Sequence, residues 1–364
     1  MVRERLPLSK QVAFSIGQLG WSMLGGLISS WLVYFYQPTE DAGIRIMVPQ
    51  GRVILGLLTV VGLITAIGRV FDAVTDPWIA SLSDRLRHPR GRRIPFLRTA
   101  AVPFALLTAL VFWAPFPGAG LANATWLLLA LLGFYLLMTA YCTPFNALIP
   151  ELGHTAGDRL NISTYISLTF IVGTAAAYVA PVFWGALESA GVERVLAMRI
   201  VIGALCVLAA LFMLVPALVI DEKRYVHTVP SQTPAFSSLK KTFANRDFRV
   251  FVVSDISYFI ALTLFQTGLP FYVKVLLGLP ESQLSLLFVL MTACSLVFYP
   301  VVNIMARRWG KKPPILLAFA LFAVMYAMTF FLGRLPFLST TLQGYLLVAV
   351  AAFPMAIFGI LPQA

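Results

Sequence analysis

Two aspartates, Asp72 and Asp76, stand four residues apart in the mostly apolar stretch GRVFDAVTDPW. On a helix that spacing puts both carboxylates on one face, about one turn apart. Like charges so placed repel, so the pair either shares a proton or takes a cation between its oxygens. Carboxylate and hydroxyl oxygens suit a hard ion such as sodium. Arg69 precedes Asp72 by three residues, and Thr75 lies between the acids. An Arg69–Asp72 ion pair would neutralise part of the helix but leaves Asp76 unexplained. Of the 15 Asp and Glu, twelve fall in loops or at the edges of apolar runs; Asp72, Asp76 and Asp255 fall within them. A carboxylate at the centre of a spanning helix costs about 2.5–3.5 kcal/mol, so these three are functional candidates. Asp255 lies six residues after Arg249 and heads a helical stripe with Tyr258, Leu262 and Gln266. It reads equally as a gate contact for inner-loop cations and as a substrate residue.

The elements that must position these acids follow from composition. The chain has 364 residues, 59% hydrophobic and only 12% charged. Soluble domains carry about 25% charge, so a soluble enzyme, a disordered chain and a collagen-like chain are excluded. A spanning helix needs about 20 mostly apolar residues. Ten such runs cover residues 12–36, 54–82, 94–114, 125–150, 162–187, 195–220, 250–276, 283–305, 314–332 and 341–362. None alternates with period two, which argues against a membrane barrel. Cys142, Cys206 and Cys294 lie in apolar runs and read as small buried side chains. His88, His154 and His227 have no metal-ligand spacing. There is no Walker loop, no G-x-S-x-G and no dinucleotide fingerprint in a strand-to-helix context. The expectation is therefore no enzyme, no cofactor and no metal beyond a coupling cation.

The net charge of +12 is distributed unevenly. With the N-terminus inside, inner segments hold twenty of the 27 Lys and Arg, including Arg92 and Arg93. This is the positive-inside pattern of a multi-pass protein of the plasma (inner) membrane, with a cytoplasmic N-terminus and anionic headgroups as partners, rather than a nucleic-acid surface. The longest polar stretch, residues 221–249, contains Pro230, Pro234 and the basic segment SSLKKTFANRDFR, which reads as a short surface helix. It separates an N-terminal six-helix bundle, residues 1–220, from a C-terminal bundle, residues 250–364. The two parts share one pattern. DPWIASLSDRLRHPRGRRIP aligns with YPVVNIMARRWGKKPP, matching Pro77 to Pro300 and Gly91-Arg92-Arg93 to Gly310-Lys311-Lys312. Tyr299 falls at the place of Asp76, which predicts one cation site rather than two. Repeated halves characterise transporters that expose a central site alternately to each side. The fold class is thus an all-α polytopic membrane protein of two pseudo-repeated bundles, with ten of an expected twelve helices present. Asp72 and Asp76 are expected to face a central cavity.

The stretch GRVFDAVTDPWIASLSDRLRHPRGRRIPFL resembles the helix 2–3 signature of the glycoside–pentoside–hexuronide:cation symporters. These are the melibiose-permease-like branch of the major facilitator superfamily. TPFNALIPELG, FYVKVLLGL and FPMAIFGILPQA are similar to further signatures of that family. The resemblance implies the twelve-helix fold and coupling to sodium, protons or lithium. It matches Asp72 and Asp76 to the family's cation carboxylates, and Thr139, five residues before Pro144, to a hydroxyl ligand. The sugar-recognition residues depart from the pattern. Trp21-Ser22 and Cys142 stand where acids are expected and Asn146 replaces an aromatic. An arginine of early helix 5 is missing from the region of Ser163, Tyr165 and Ser167.

The pocket is therefore assigned Gln18, Ser22, Tyr141, Cys142 and Asn146, with Tyr258 and Gln266 from the second bundle. Arg69, Asp255, Arg92 and Arg93 are assigned to gating. The function expected is symport of a small solute by alternating access, coupled to sodium or protons, by a chain that works as a monomer. The substrate is expected not to be a melibiose-like sugar. The animal lysophosphatidylcholine symporters are similar in keeping the cation acids on a changed pocket, so an amphiphile is one alternative. A non-transporting membrane scaffold of the same fold is the other.

Overall fold

The computed structural model describes residues 5–38, 44–54, 58–226, 242–272, 276–279, 281–310 and 312–360. They form two compact units, Met1–Ala235 and Phe236–Ala364. In the first unit six long helices follow one another: α1 Leu8–Tyr36, α2 Val60–Arg85, α3 Ile94–Val111, α4 Leu121–Leu152, α5 Ala156–Ser189 and α6 Arg194–Val219. A single turn, α7 Glu222–Tyr225, follows α6. The second unit contains α8 Arg246–Phe271, α9 Glu281–Trp309, α10 Lys312–Phe331 and α11 Thr340–Ile360. The ten expected spans are thus helices, with ends shifted by a few residues.

The largest correction is at the start of α2. The apolar run from residue 54 does not begin as helix. Arg52–Ile54 (β1) and Leu58–Thr59 (β2) pair as a short antiparallel ladder, with Arg52 opposite Thr59. The helix starts where Thr59 can cap it: its hydroxyl accepts the Gly62 N–H at 3.1 Å. The expected surface helix falls partly on residues 237–241, outside the described residues; Arg246–Arg249, its last part, is the first turn of α8.

Small residues set the packing of the first unit. α1 lies against α5 and α6, α3 against α4 and α6, and α2 against α4. A Cβ at Gly20 would lie 2.5 Å from the Ala209 carbonyl oxygen of α6, and one at Gly173 would lie 2.4 Å from the Leu19 carbonyl oxygen of α1. Close backbone approach of this kind is what holds helices together in lipid, where apolar burial gives no net gain. The Trp31 indole donates to the Ala177 carbonyl across the same seam at 2.8 Å.

Outward faces are apolar. Val70, Val74 and Trp78 of α2 and Val207, Leu211 and Leu218 of α6 are all exposed. Among the described residues, eight helices are long and apolar enough to cross a membrane. Length does not set α2 apart from them: every 18-residue stretch of it carries Arg69, Asp72 and Asp76. The chain is an integral multi-pass membrane protein.

α3 is held at both ends by charges from the α6 region. At its start, one Glu222 oxygen accepts the Arg92 N–H and the other accepts those of Arg93 and Ile94, each at 2.9 Å. The approach depends on Gly91, which has φ +105° and whose Cβ, if present, would lie 2.2 Å from the carboxylate. At its end, the Arg199 guanidinium donates to the carbonyls of Phe112 and Trp113. Both placements complement the helix dipole: the anionic Glu222 meets its positive N-terminus and the cationic Arg199 its negative C-terminus.

Candidate cation site

α2 presents three faces. Gly68, Thr75 and Ile79 are buried; a Cβ at Gly68 would lie 2.5 Å from the Tyr135 ring of α4. Val70, Val74 and Trp78 form the exposed apolar face. Between these runs a polar face with Arg69, Asp72 and Asp76, Asp72 half-buried and Asp76 exposed. The helix thus separates the surface that packs, the surface that suits lipid and the surface that carries charge.

α4 meets the charged face with two hydroxyls at the same four-residue spacing. Thr139 Oγ1 donates to Asp72 Oδ1 at 2.7 Å, and Thr143 Oγ1 donates to Asp76 Oδ1 at 3.0 Å. The result is a two-rung ladder of carboxylate and hydroxyl. Each lower rung is followed directly by a proline, Pro77 in α2 and Pro144 in α4. Proline has no N–H, so the carbonyls of Ala73 and Ala140 lose their helical partner one turn earlier. Thr75, in contrast, turns to the packing face, where its hydroxyl donates to the Asp72 backbone carbonyl at 3.1 Å.

Asp72 and Arg69 form no direct ion pair. The Arg69 guanidinium lies over the Tyr135 ring, 5.3 Å from its centroid. Arg92 and Arg93 join a compact ionic cluster at the end of the first unit. Arg92 binds Glu151 at 2.5 Å; Arg93 binds Glu151 and Asp84, each at 2.8 Å. This ties the end of α2, the start of α3 and the end of α4 together.

The expected pocket residues do not all gather at the ladder. Tyr141 is fully buried on another face of α4, where its hydroxyl donates to the Met213 carbonyl of α6 at 2.8 Å. Its ring stacks on Phe145, so it is a packing residue. Ser22 is buried and donates to the Leu19 carbonyl at 3.1 Å, against Gly173. Gln18 is also buried in α1, Cys142 is half-buried and Asn146 is exposed. In the second unit Tyr258 is buried against Phe322, with ring centroids 5.9 Å apart. Asp255 is half-buried on α8, beside the exposed Ile256, Phe259, Ile260 and Leu264 of the same helix. The side chain of Gln266 lies outside the described residues. Thr143, Glu151 and Glu222 are additions that sequence reasoning missed. The signal for Thr143 was present: threonines four apart in one helix, matching aspartates four apart in another.

A family model described as MFS/sugar transport protein matches residues 13–364. The isoprimeverose transporter of Lactiplantibacillus pentosus is 21% identical over 88% of this chain and 63% of its own length. The sodium-dependent lysophosphatidylcholine symporter 1 of Xenopus tropicalis is 22% identical over 67% of this chain and 52% of its own. The chain therefore spans less than two thirds of the length of these curated relatives. Among solved structures, the proton:xylose symporter XylE bound to 6-bromo-6-deoxy-D-glucose matches with a TM-score of 0.63 at 16% identity, covering 98% of this chain and 81% of that one. That likeness identifies the major facilitator fold. With the family model matched over nearly its whole length, the chain belongs to the MFS/sugar transport protein family, the glycoside–pentoside–hexuronide:cation symporters of the major facilitator superfamily.

Proposed function

We propose that the protein is a secondary active symporter in which Asp72, Asp76 and Thr139 bind the coupling cation. The observation that carries this reading is the 2.7 Å bond from Thr139 to Asp72, with Asp76 one turn away on the same charged face. Two carboxylates in an apolar helix repel and are costly to keep there. A cation between them removes the repulsion, so the loaded site differs in energy from the empty one. That difference is what couples ion binding to a change of access, because a ligand shifts a conformational equilibrium only by its differential affinity for the two states. Sodium and a proton both satisfy the charge requirement.

The substrate of this reading is a small solute other than a melibiose-like sugar. A buried sugar hydroxyl left unpaired costs about 1–3 kcal/mol. Cys142 and Asn146 offer neither the acid nor the aromatic that such sugars use in the resembling family, and Tyr141 spends its hydroxyl on α6. An amphiphilic substrate is the second reading. It is favoured by the similarity to a lysophosphatidylcholine symporter and by Asp255, half-buried on an otherwise apolar face of α8.

The test is uptake into proteoliposomes against an imposed sodium or proton gradient, with a substrate panel of pentosides, hexuronides and lysolipids. D72N and D76N keep the shape of the site and remove charge. Each is expected to abolish gradient-driven accumulation while leaving substrate exchange measurable. Undiminished accumulation in the double variant would overturn the mechanism. Absence of counterflow by the wild type with every substrate would favour a scaffold.

A further inference from the structure

We infer that Thr143 is a second hydroxyl of this site, one that fixes Asp76 and selects a metal cation of sodium type over a proton; the inference rests on the cation-site reading above. A threonine inside a helix ordinarily spends its hydroxyl on its own backbone. Thr65, Thr108, Thr164 and Thr169 do so here, each donating to the carbonyl four residues earlier at 2.7–3.0 Å. Thr139 and Thr143 instead reach across to α2. A hydroxyl has one proton and two lone pairs. With the proton given to the carboxylate, the lone pairs of Thr143 remain available as ligands.

The ligand count decides the ion. A proton needs one carboxylate oxygen; the second carboxylate raises its affinity by repulsion, but the second hydroxyl serves it as no further ligand. A hard metal cation takes several oxygens at once. Two carboxylates, two hydroxyls and the carbonyls freed by Pro77 and Pro144 supply them from two helices. Thr143 sits where the second carboxylate would otherwise lack any partner from α4. An Asp76 held by a hydroxyl keeps its oxygens aimed at one point, as outer partners do for metal ligands in general.

The experiment is radiolabelled sodium binding to the purified full chain, displaced by unlabelled sodium or lithium. The variants are T143V, T143A, T143S and D76N. T143V keeps the side-chain shape and removes the hydroxyl; sodium affinity is expected to fall about tenfold or more, the size of a lost charge-assisted hydrogen bond. T143S restores the hydroxyl and is expected within about twofold of the wild type, which a merely steric role would not give. Should T143V not fold, T143A supplies the same comparison. Wild-type affinity in T143V or T143A, with D76N inactive, overturns this inference and leaves the cation site standing. Wild-type sodium binding in D76N overturns both. A wild type that binds protons but no sodium overturns the selectivity assigned to Thr143.

Discussion

Three hydroxyls of α4 have three different partners, and their positions on the helix decide which. Thr139 and Thr143 share a face and reach Asp72 and Asp76; Tyr141 projects on the other side and caps the Met213 carbonyl of α6. Tyr141→Phe is therefore expected to lower stability by about 1 kcal/mol, the net worth of one buried hydrogen bond, while substrate KM and cation affinity stay unchanged. Thermal melting in detergent and uptake kinetics on the same preparation check this; a raised KM at unchanged stability would put Tyr141 back in the pocket. The contrast also marks how far the residues could be read unaided. A carboxylate in an apolar helix is expensive, and that cost picks out Asp72 and Asp76 with no knowledge of their neighbours. A hydroxyl carries no such cost. Thr143 and Thr108 look alike in sequence, and only the rotation of α4 against α2 separates the one that crosses to another helix from the one that bonds its own backbone. Tyr141 was grouped with the pocket for the same reason, since residue type does not reveal the face.

At the scale of elements, the α1–α5 seam depends on missing side chains. A Cβ at Gly173 would meet the Leu19 carbonyl oxygen at 2.4 Å and Ser22 Oγ at 2.2 Å. The first of these is backbone and cannot rotate away, so Gly173→Ala must push the two helices apart. The expected loss is about 1–3 kcal/mol, typical of overpacking. Gly185 and Gly203 lie in helices with open space around them. There the same change is expected to be neutral or stabilising by up to about 1 kcal/mol, because alanine is the better helix former. Melting temperatures of the three variants in one detergent give the comparison; equal shifts at all three positions would remove the argument for close contact. Element existence was legible because twenty apolar residues have few other uses. The start of α2 was not. A run of apolar residues is continuous across residues 54–60, and the hydrophobic pattern alone cannot mark where Leu58–Thr59 stops pairing with Arg52–Ile54 and the Thr59 cap begins the helix.

For the whole molecule, charge sets orientation. The Arg92–Arg93 cluster with Asp84 and Glu151, the Glu222 cap and Lys10 over the Tyr225 ring all gather at one end of the first unit, the end where α1 begins. We propose, from the excess of Lys and Arg on the same segments and the positive-inside rule, that this end faces the cytoplasm. An epitope tag at the N-terminus is expected to be reached by antibody only after the membrane is permeabilised. Labelling of intact cells would reverse the assignment. The double clamp on α3 adds a constraint in time. Its two partners lie far downstream: Arg199 follows Phe112 by 87 residues and Glu222 follows Arg92 by 130. At about 5–20 residues per second, the ribosome makes that second interval in roughly 6–26 s. During it, α3 is synthesised and inserted with bare N–H groups at one end and bare carbonyls at the other, satisfied by water and headgroups. The two clamps then arrive on either side of a single helix, α6, one just after its start and one just past its end. Only when α6 and the turn behind it have emerged do both ends of α3 have their partners, and a ribosome paused before that point holds a bundle whose third helix is still electrically unfinished.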